Sequence, residues 1–125
     1  RQYDDVIKDI IGFFEQRIEL CHQAGIAKQR LIVDPGFGFG KTLTQNYQLL
    51  AHLEAFETLG LPILVGTSRK SMIGNLLKRP VDQRLAGSLS SAIIAAQHGA
   101  KIIRVHDVKE TVDALNVLNA VNQQL

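Results

Sequence analysis

The stretch Asp34-Pro35-Gly36-Phe37-Gly38-Phe39-Gly40-Lys41-Thr42 is the most chemically distinctive part of the sequence. Its glycines alternate with phenylalanines, so backbone can approach a flat ligand while the rings supply stacking faces. Counting excludes two phosphate-binding patterns. A P-loop needs four residues between its first glycine and the Gly-Lys pair, and Pro35 occupies the required glycine position, with Gly36 one residue too close. A dinucleotide fingerprint needs two residues between its second and third glycines, whereas Gly38 and Gly40 enclose only Phe39. A glycine-rich turn capped by Asp34 would use the same residues with no ligand.

Two further stretches carry reactive groups. Thr67-Ser68-Arg69-Lys70-Ser71 places two cations and three hydroxyls where a strand gives way to a helix, a setting suited to an anion such as a carboxylate. A solvated capping segment is the plainer alternative. Arg104 and His106 are two residues apart, so on a strand both side chains point the same way. A forked guanidinium beside an imidazole suits phosphate or diphosphate, while a salt-bridging arginine and a packed histidine would need no ligand. Lys41 and Arg84 could reach a site, with solvated surface positions the plainer reading for both. His22, His52 and His98 lie on helical stretches without metal-ligand spacing, so no metal site is proposed from them. Cys21 reads as a small buried hydrophobe.

These groups must be positioned by the elements around them. Val6, Ile7, Ile10, Ile11, Phe14, Ile18 and Cys21 recur at helical steps and predict a helix over 3–23, with Asp4 and Asp5 at its positive end and Gly25 after it. Residues 30–34 predict a buried strand. A helix follows, capped by Thr42 with Gln45 or by Thr44, carrying Tyr47, Leu50, Leu53 and Phe56 and ending at Gly60. Residues 61–66 predict the second strand, and a helical region from about Met72 breaks near Pro80. Residues 82–97 form a further helix rich in Ala, Ser and Gly, suited to close packing against a sheet or a second subunit. After Gly99, residues 101–106 predict the third strand. Asp107 and Glu110 stand in capping-box spacing before a last helix carrying Val108, Val112, Leu115, Leu118 and Val121.

This alternation argues a parallel sheet covered by helices, within one domain over residues 1–125. A doubly wound sheet usually has about five strands. An eight-unit (β/α)8 barrel of the TIM type needs about 250 residues, so 125 residues with three strands match its half. Every predicted strand ends in reactive side chains, and in a barrel the C-terminal edge of the strands is the active face.

Composition narrows the function classes. The sequence is 46% hydrophobic and 21% charged with a net charge of +2, and its basic residues are scattered, so no nucleic-acid footprint stands out. Purely apolar runs reach only four or five residues, too short for a membrane span. One cysteine cannot make an internal disulfide. The sequence opens on Arg1 without a secretory signal, which reads as a cut inside a longer chain.

Taken in order, Asp34 to Lys41, Gly66-Thr67-Ser68-Arg69-Lys70-Ser71 and Ile103-Arg104-Val105-His106-Asp107-Val108 resemble the last three strand-end motifs of the bacterial dihydropteroate synthases. The resemblance covers essentially the whole chain as the C-terminal half of that barrel. It implies a cytoplasmic, homodimeric folate-pathway transferase, a sulfonamide target, that joins 4-aminobenzoate to 6-hydroxymethyl-7,8-dihydropterin diphosphate and releases diphosphate. It implies magnesium as cofactor, with its main ligand in the first half of the barrel and no metal ligand here. By the same resemblance Asp34 accepts from the pterin ring, Lys70 meets its carbonyl, and Gly38, Phe39 and Arg69 flank aminobenzoate. Ser71 seats the aminobenzoate carboxylate, Arg104 and His106 bind the diphosphate, and Lys70, Arg104 and His106 are the catalytic set. Barrels that pass a methyl group from a folate to a corrinoid protein are the alternative. They need no anion clamp, so Ser71, Arg104 and His106 favour the synthase. A half-barrel lacking a complete site would be inactive by itself.

Overall fold

The computed structural model describes residues 3–125, with side chains from Val6 onward. Arg1, and the side chains of Asp4 and Asp5 expected at the helix start, lie outside the described residues. The elements run α1 (Tyr3–Gln23), α2 (Leu43–Ala51), β1 (Ile63–Val65), α3 (Ser71–Leu77), α4 (Leu85–Gln97), β2 (Ala100–Ile103) and α5 (Val108–Asn122). Short 3-10 turns lie at Lys28–Arg30, Leu53–Leu59 and Val81–Gln83.

β1 is the axis of the fold. It pairs in parallel with β2 on one side and, through a single parallel bridge from Ile63, with Val33 on the other. Val33 donates to the Pro62 carbonyl at 3.0 Å and accepts from the Leu64 amide at 2.8 Å. The strand expected over 30–34 is therefore only a bridge. Its first residues coil into the Lys28–Arg30 turn, which leaves Val33 as the one point of pairing with β1. The third strand is also shorter than expected, ending at Ile103 because β1, its partner, ends at Val65. One more ladder bond, from the Arg104 amide to the Val65 carbonyl at 2.9 Å, carries the chain to the site.

The core gathers α1, α2 and the turn after it around β1. Leu49, Leu53, Phe56, Ile63 and Val65 are fully buried, and each such side chain contributes about 1.5–3 kcal/mol by leaving water. Phe14 of α1 meets Phe56 edge-on at 6.3 Å. Cys21, expected to be buried, is only half-buried near the end of α1. α2 begins with the expected capping box: Thr42 Oγ1 accepts from the Gln45 amide and Gln45 Oε1 from the Thr42 amide. The helix expected to run on to Gly60 stops at Ala51 and tightens into the Leu53–Leu59 turn.

α4 shows what its small residues do. Ser88, Ser91, Ala92 and Ala95 are buried, and α4 packs on β2 and α5. A Cβ on Gly87 would lie 2.5 Å from Cγ2 of Ile73, so α3 and α4 meet where a side chain is missing. The apolar stripe of α5 is mostly exposed, with Val108, Val112 and Val121 on the surface. Its expected capping box is absent: the Asp107 side chain makes no cap bond, and its carboxylate binds Arg69 instead.

Candidate active site

The three parallel segments end together on one edge, and the residues after them form the site. After Val33, Asp34 closes a tight turn, its Oδ1 accepting from the Gly36 amide at 3.0 Å. The loop then turns on Gly38 at φ 92, a left-handed conformation suited to glycine. Asn46 fixes that turn: its Oδ1 accepts from the Gly38 amide at 2.7 Å and its Nδ2 donates to the Thr42 carbonyl. Lys41, expected to be a surface residue, folds back and donates to the carbonyls of Gly36 at 2.6 Å and Pro35 at 3.4 Å. The two phenylalanines do not act alike. Phe37 is 1% exposed and belongs to the core, while Phe39 is 76% exposed.

After Val65 the chain passes Gly66, where a Cβ would lie 2.4 Å from Nη2 of Arg104, so the guanidinium can lie against the backbone only because the position is glycine. Lys70 reaches across to the glycine loop, donating to the Phe37 carbonyl at 2.9 Å, with its ammonium 5.3 Å from the Phe39 ring centre. Burial holds the Lys70 pKa below its usual value, with help from Arg104 and Lys41 against the opposing pull of Asp34. Burial likewise lowers Lys41, which Asp34 partly offsets.

After β2, Arg104 turns towards the first segment, its Nη1 donating to Asp34 Oδ2 at 3.3 Å. His106 faces the second. Ser68 Oγ lies 3.0 Å from its Nδ1 and accepts from its backbone amide at 3.3 Å. Gly66, Ser68, Lys70, Arg104, Val105 and His106 line a cleft of about 100 Å3. Asp34, Gly38, Phe39, Lys70, Arg104 and His106 are thus brought to one place.

Arg69 and Ser71 sit differently. Arg69 points to the exposed side, where Nη2 and Nε bond the Asp107 carboxylate at 2.9 and 3.3 Å and the pairing raises the arginine's pKa. Ser71 opens α3 and is exposed. Ser68 enters the sequence reading only as one hydroxyl of the Thr67–Ser71 stretch, and Asn46 does not enter it. Asn46 had a legible signal, a polar residue on the same helical face as Leu50 and Leu53. Arg84, read as a surface residue, donates through Nη1 to the Arg69 carbonyl at 2.8 Å. Among the described residues no group of three or more His, Cys, Asp or Glu side chains is placed to hold a metal. The cleft is lined by Lys70, Arg104, His106 and Ser68 with no carboxylate among its residues, so this donor set does not fit a magnesium ion.

Comparison with known proteins agrees with this geometry. The family model described as pterin binding enzyme matches residues 1–106. The dihydropteroate synthase of Escherichia coli strain K12 is 58% identical over 119 residues, covering 95% of this chain and 42% of that protein. Its Haemophilus influenzae counterpart is 53% identical over 118 residues, covering 94% and 43%. Among solved structures, Yersinia pestis dihydropteroate synthase superposes with a TM-score of 0.94 at 57% identity, covering 98% of this chain and 50% of that one. The Xanthomonas albilineans enzyme in complex with 7,8-dihydropteroate gives 0.93 at 52% identity, covering 97% and 47%. The chain thus spans about half the length of these relatives. The likeness decides for the TIM-barrel class over the doubly wound sheet, with this chain contributing a partial α/β stretch of parallel strands. The chain belongs to the family of pterin-binding enzymes.

Proposed function

We propose that residues 1–125 are the C-terminal half of a dihydropteroate synthase barrel and supply most of its strand-end chemistry. The observation that carries this reading is the meeting of three strand ends, with Arg104 3.3 Å from Asp34 and sharing a cleft with Lys70 and His106. Asp34 accepts hydrogen bonds from the pterin ring, and its exposed pairing with Arg104 is weak enough to open for that ligand. Lys70 donates to the pterin carbonyl. Gly38, Phe39 and the Arg69 stem flank aminobenzoate, and Ser71 receives its carboxylate. Arg104 and His106 bind the diphosphate.

In the reaction the bond from the pterin methylene carbon to the diphosphate oxygen breaks and the aminobenzoate nitrogen forms the new bond to that carbon. The amine then loses a proton. The electron pair leaves with diphosphate, so the groups that help most are those that hold its growing charge, Arg104 and His106, and those that align the amine. No protein nucleophile is needed. Magnesium belongs to this proposal as a cofactor whose main ligand lies in the first half of the barrel, and no step is assigned to it; among the described residues no cluster of three or more His, Cys, Asp or Glu side chains is placed to hold a metal.

The whole enzyme is proposed to be cytoplasmic and to pair as a homodimer through its late helices. Leu76, Leu77 and Ile94 are exposed beside a hollow of about 320 Å3 between α2, α3 and α4, an apolar surface suited to a second copy. No described helix is long and apolar enough to cross a membrane.

The test is the condensation itself. The complete parent barrel is expected to form 7,8-dihydropteroate, and residues 1–125 alone are expected to form none. In the complete barrel Arg104→Met should lower kcat and raise the KM for the pterin diphosphate, and Ser71→Ala should raise the KM for aminobenzoate. A complete barrel that makes no dihydropteroate refutes the reading.

A further inference from the structure

We infer that Arg84 is a positioning residue for the aminobenzoate side of the site, acting as a clamp across α3; this rests on the synthase reading above. The need for a clamp starts at Arg69, which sits at φ 59, a conformation that residues with a side chain rarely adopt. Neighbours enforce it. The Arg69 amide donates to Ser88 Oγ at 3.0 Å, and the Arg69 carbonyl accepts from Arg84 Nη1 at 2.8 Å. Ser88 Oγ in turn donates to the Arg84 carbonyl at 2.7 Å, which locks the two α4 contacts together.

The other edge of the same guanidinium reaches past the far end of α3, where Nε donates to the Arg79 carbonyl at 3.0 Å. One planar group therefore ties Arg69, two residues before α3, to Arg79, two residues after it. It lies flat across the middle of the helix at Gly74, where a Cβ would come within 2.2 Å of the guanidinium carbon. Ser71, the first residue of α3, is carried by whatever holds that helix. Lys70 is anchored separately, by the Phe37 carbonyl on the glycine loop. The clamp therefore bears on the aminobenzoate seat more than on the pterin contact. Arg84 itself does not line the cleft.

Gly74→Ala tests this with little risk to the fold. Alanine favours the helix, and its Cβ meets only the tip of a flexible side chain, which swings away and releases both carbonyls. In the complete parent barrel, Gly74→Ala and Arg84→Met are each expected to raise the aminobenzoate KM about tenfold, with kcat and the affinity for a pterin diphosphate analogue within about twofold of wild type. The double variant should be no worse than either single variant, since both remove the same contact. Amides of residues 69–74 should exchange with solvent faster in both variants, while those of β1 do not change. An unchanged aminobenzoate KM overturns the inference, and so does a parallel fall in pterin affinity, which would make Arg84 a general structural residue. If the wild-type barrel makes no dihydropteroate, the synthase reading fails by itself. Amide exchange then decides the clamp alone: faster exchange retains it and unchanged exchange removes it.

Discussion

The loop after Val33 and the turn after Val65 do the same job by opposite means. Each leaves a buried parallel segment and carries a lysine whose ammonium binds carbonyls of the glycine loop, Lys41 from within that loop and Lys70 from across the strand-end face. The first takes its shape from Gly36, Gly38 and Gly40, all at positive φ. The second reaches a left-handed conformation at Arg69, a residue that resists it, and is held there by Arg84 and Ser88 of α4. One conformation is permitted by its own residues and the other is enforced by a distant helix. A loop of the first kind holds no backbone strain that its neighbours must restrain, whereas a turn of the second kind transmits changes in α4 to the site.

The largest expected effect lies inside the glycine loop. Phe37 is 1% exposed and roots the loop in the core, so Phe37→Ala should cost about 3–5 kcal/mol in urea unfolding. Phe39, 76% exposed, should cost under about 0.5 kcal/mol when replaced by alanine while weakening aminobenzoate binding. Equal losses from the two would mean that the loop is not anchored through Phe37. Gly38→Ala comes next. Its Cβ would meet nothing nearer than Cδ of Lys70 at 3.9 Å, so the expected cost of about 1–2 kcal/mol comes from the backbone at φ 92 alone. A neutral result would show that Asn46, not glycine, sets this turn.

The same contrast explains what the sequence makes legible. Features written in local pattern are readable: the stripe of α1, the Thr42–Gln45 capping box, the apolar run of β1 and the placing of Asp34, Lys70 and His106 at strand ends. The glycine spacing announces a ligand-facing loop but not the division of labour within it, because burial of Phe37 and exposure of Phe39 follow from which ring meets α2 and β1 in space. Asp107 satisfies the capping-box pattern, yet its carboxylate lies within reach of a forked guanidinium 38 residues earlier in the chain, and the forked contact prevails. Arg84 is unreadable for the same reason. Nothing in Pro80 to Leu85 signals that its partners are carbonyls at the two ends of another helix.

Lys70 links the two regions and should show it through pH. Burial, then Arg104 and Lys41, hold its folded pKa below 10.5, so between that depressed value and 10.5 the unfolded chain binds more protons than the folded one. Stability contributed at this position therefore rises with pH through that window. The stability of wild type relative to Lys70→Met should increase from neutral pH towards 10.5, by less than the Gly38→Ala effect because the ammonium is only half-buried. On the proposed reading, the activity of the complete parent barrel should fall over the same range as the Lys70 ammonium is lost. A stability difference that does not vary with pH would mean that Lys70 is not desolvated by the glycine loop.

The smallest expected change exchanges one strategy for the other. Arg69→Gly gives the second turn a residue that accepts φ 59 unaided, while losing an exposed bond to Asp107 and freeing the unfolded chain. These effects oppose each other, so the melting temperature should barely move. The informative quantity is the coupling with Arg84. In the wild-type background Arg84→Met removes a restraint that a strained residue needs, whereas with glycine at position 69 the same turn is already allowed. Arg84→Met should therefore destabilise the Arg69→Gly protein less than it destabilises wild type, as measured by thermal unfolding of all four proteins. Additive effects would mean that Arg84 supports α3 only through Arg79 and Gly74, and that the left-handed turn is held by Ser88 alone.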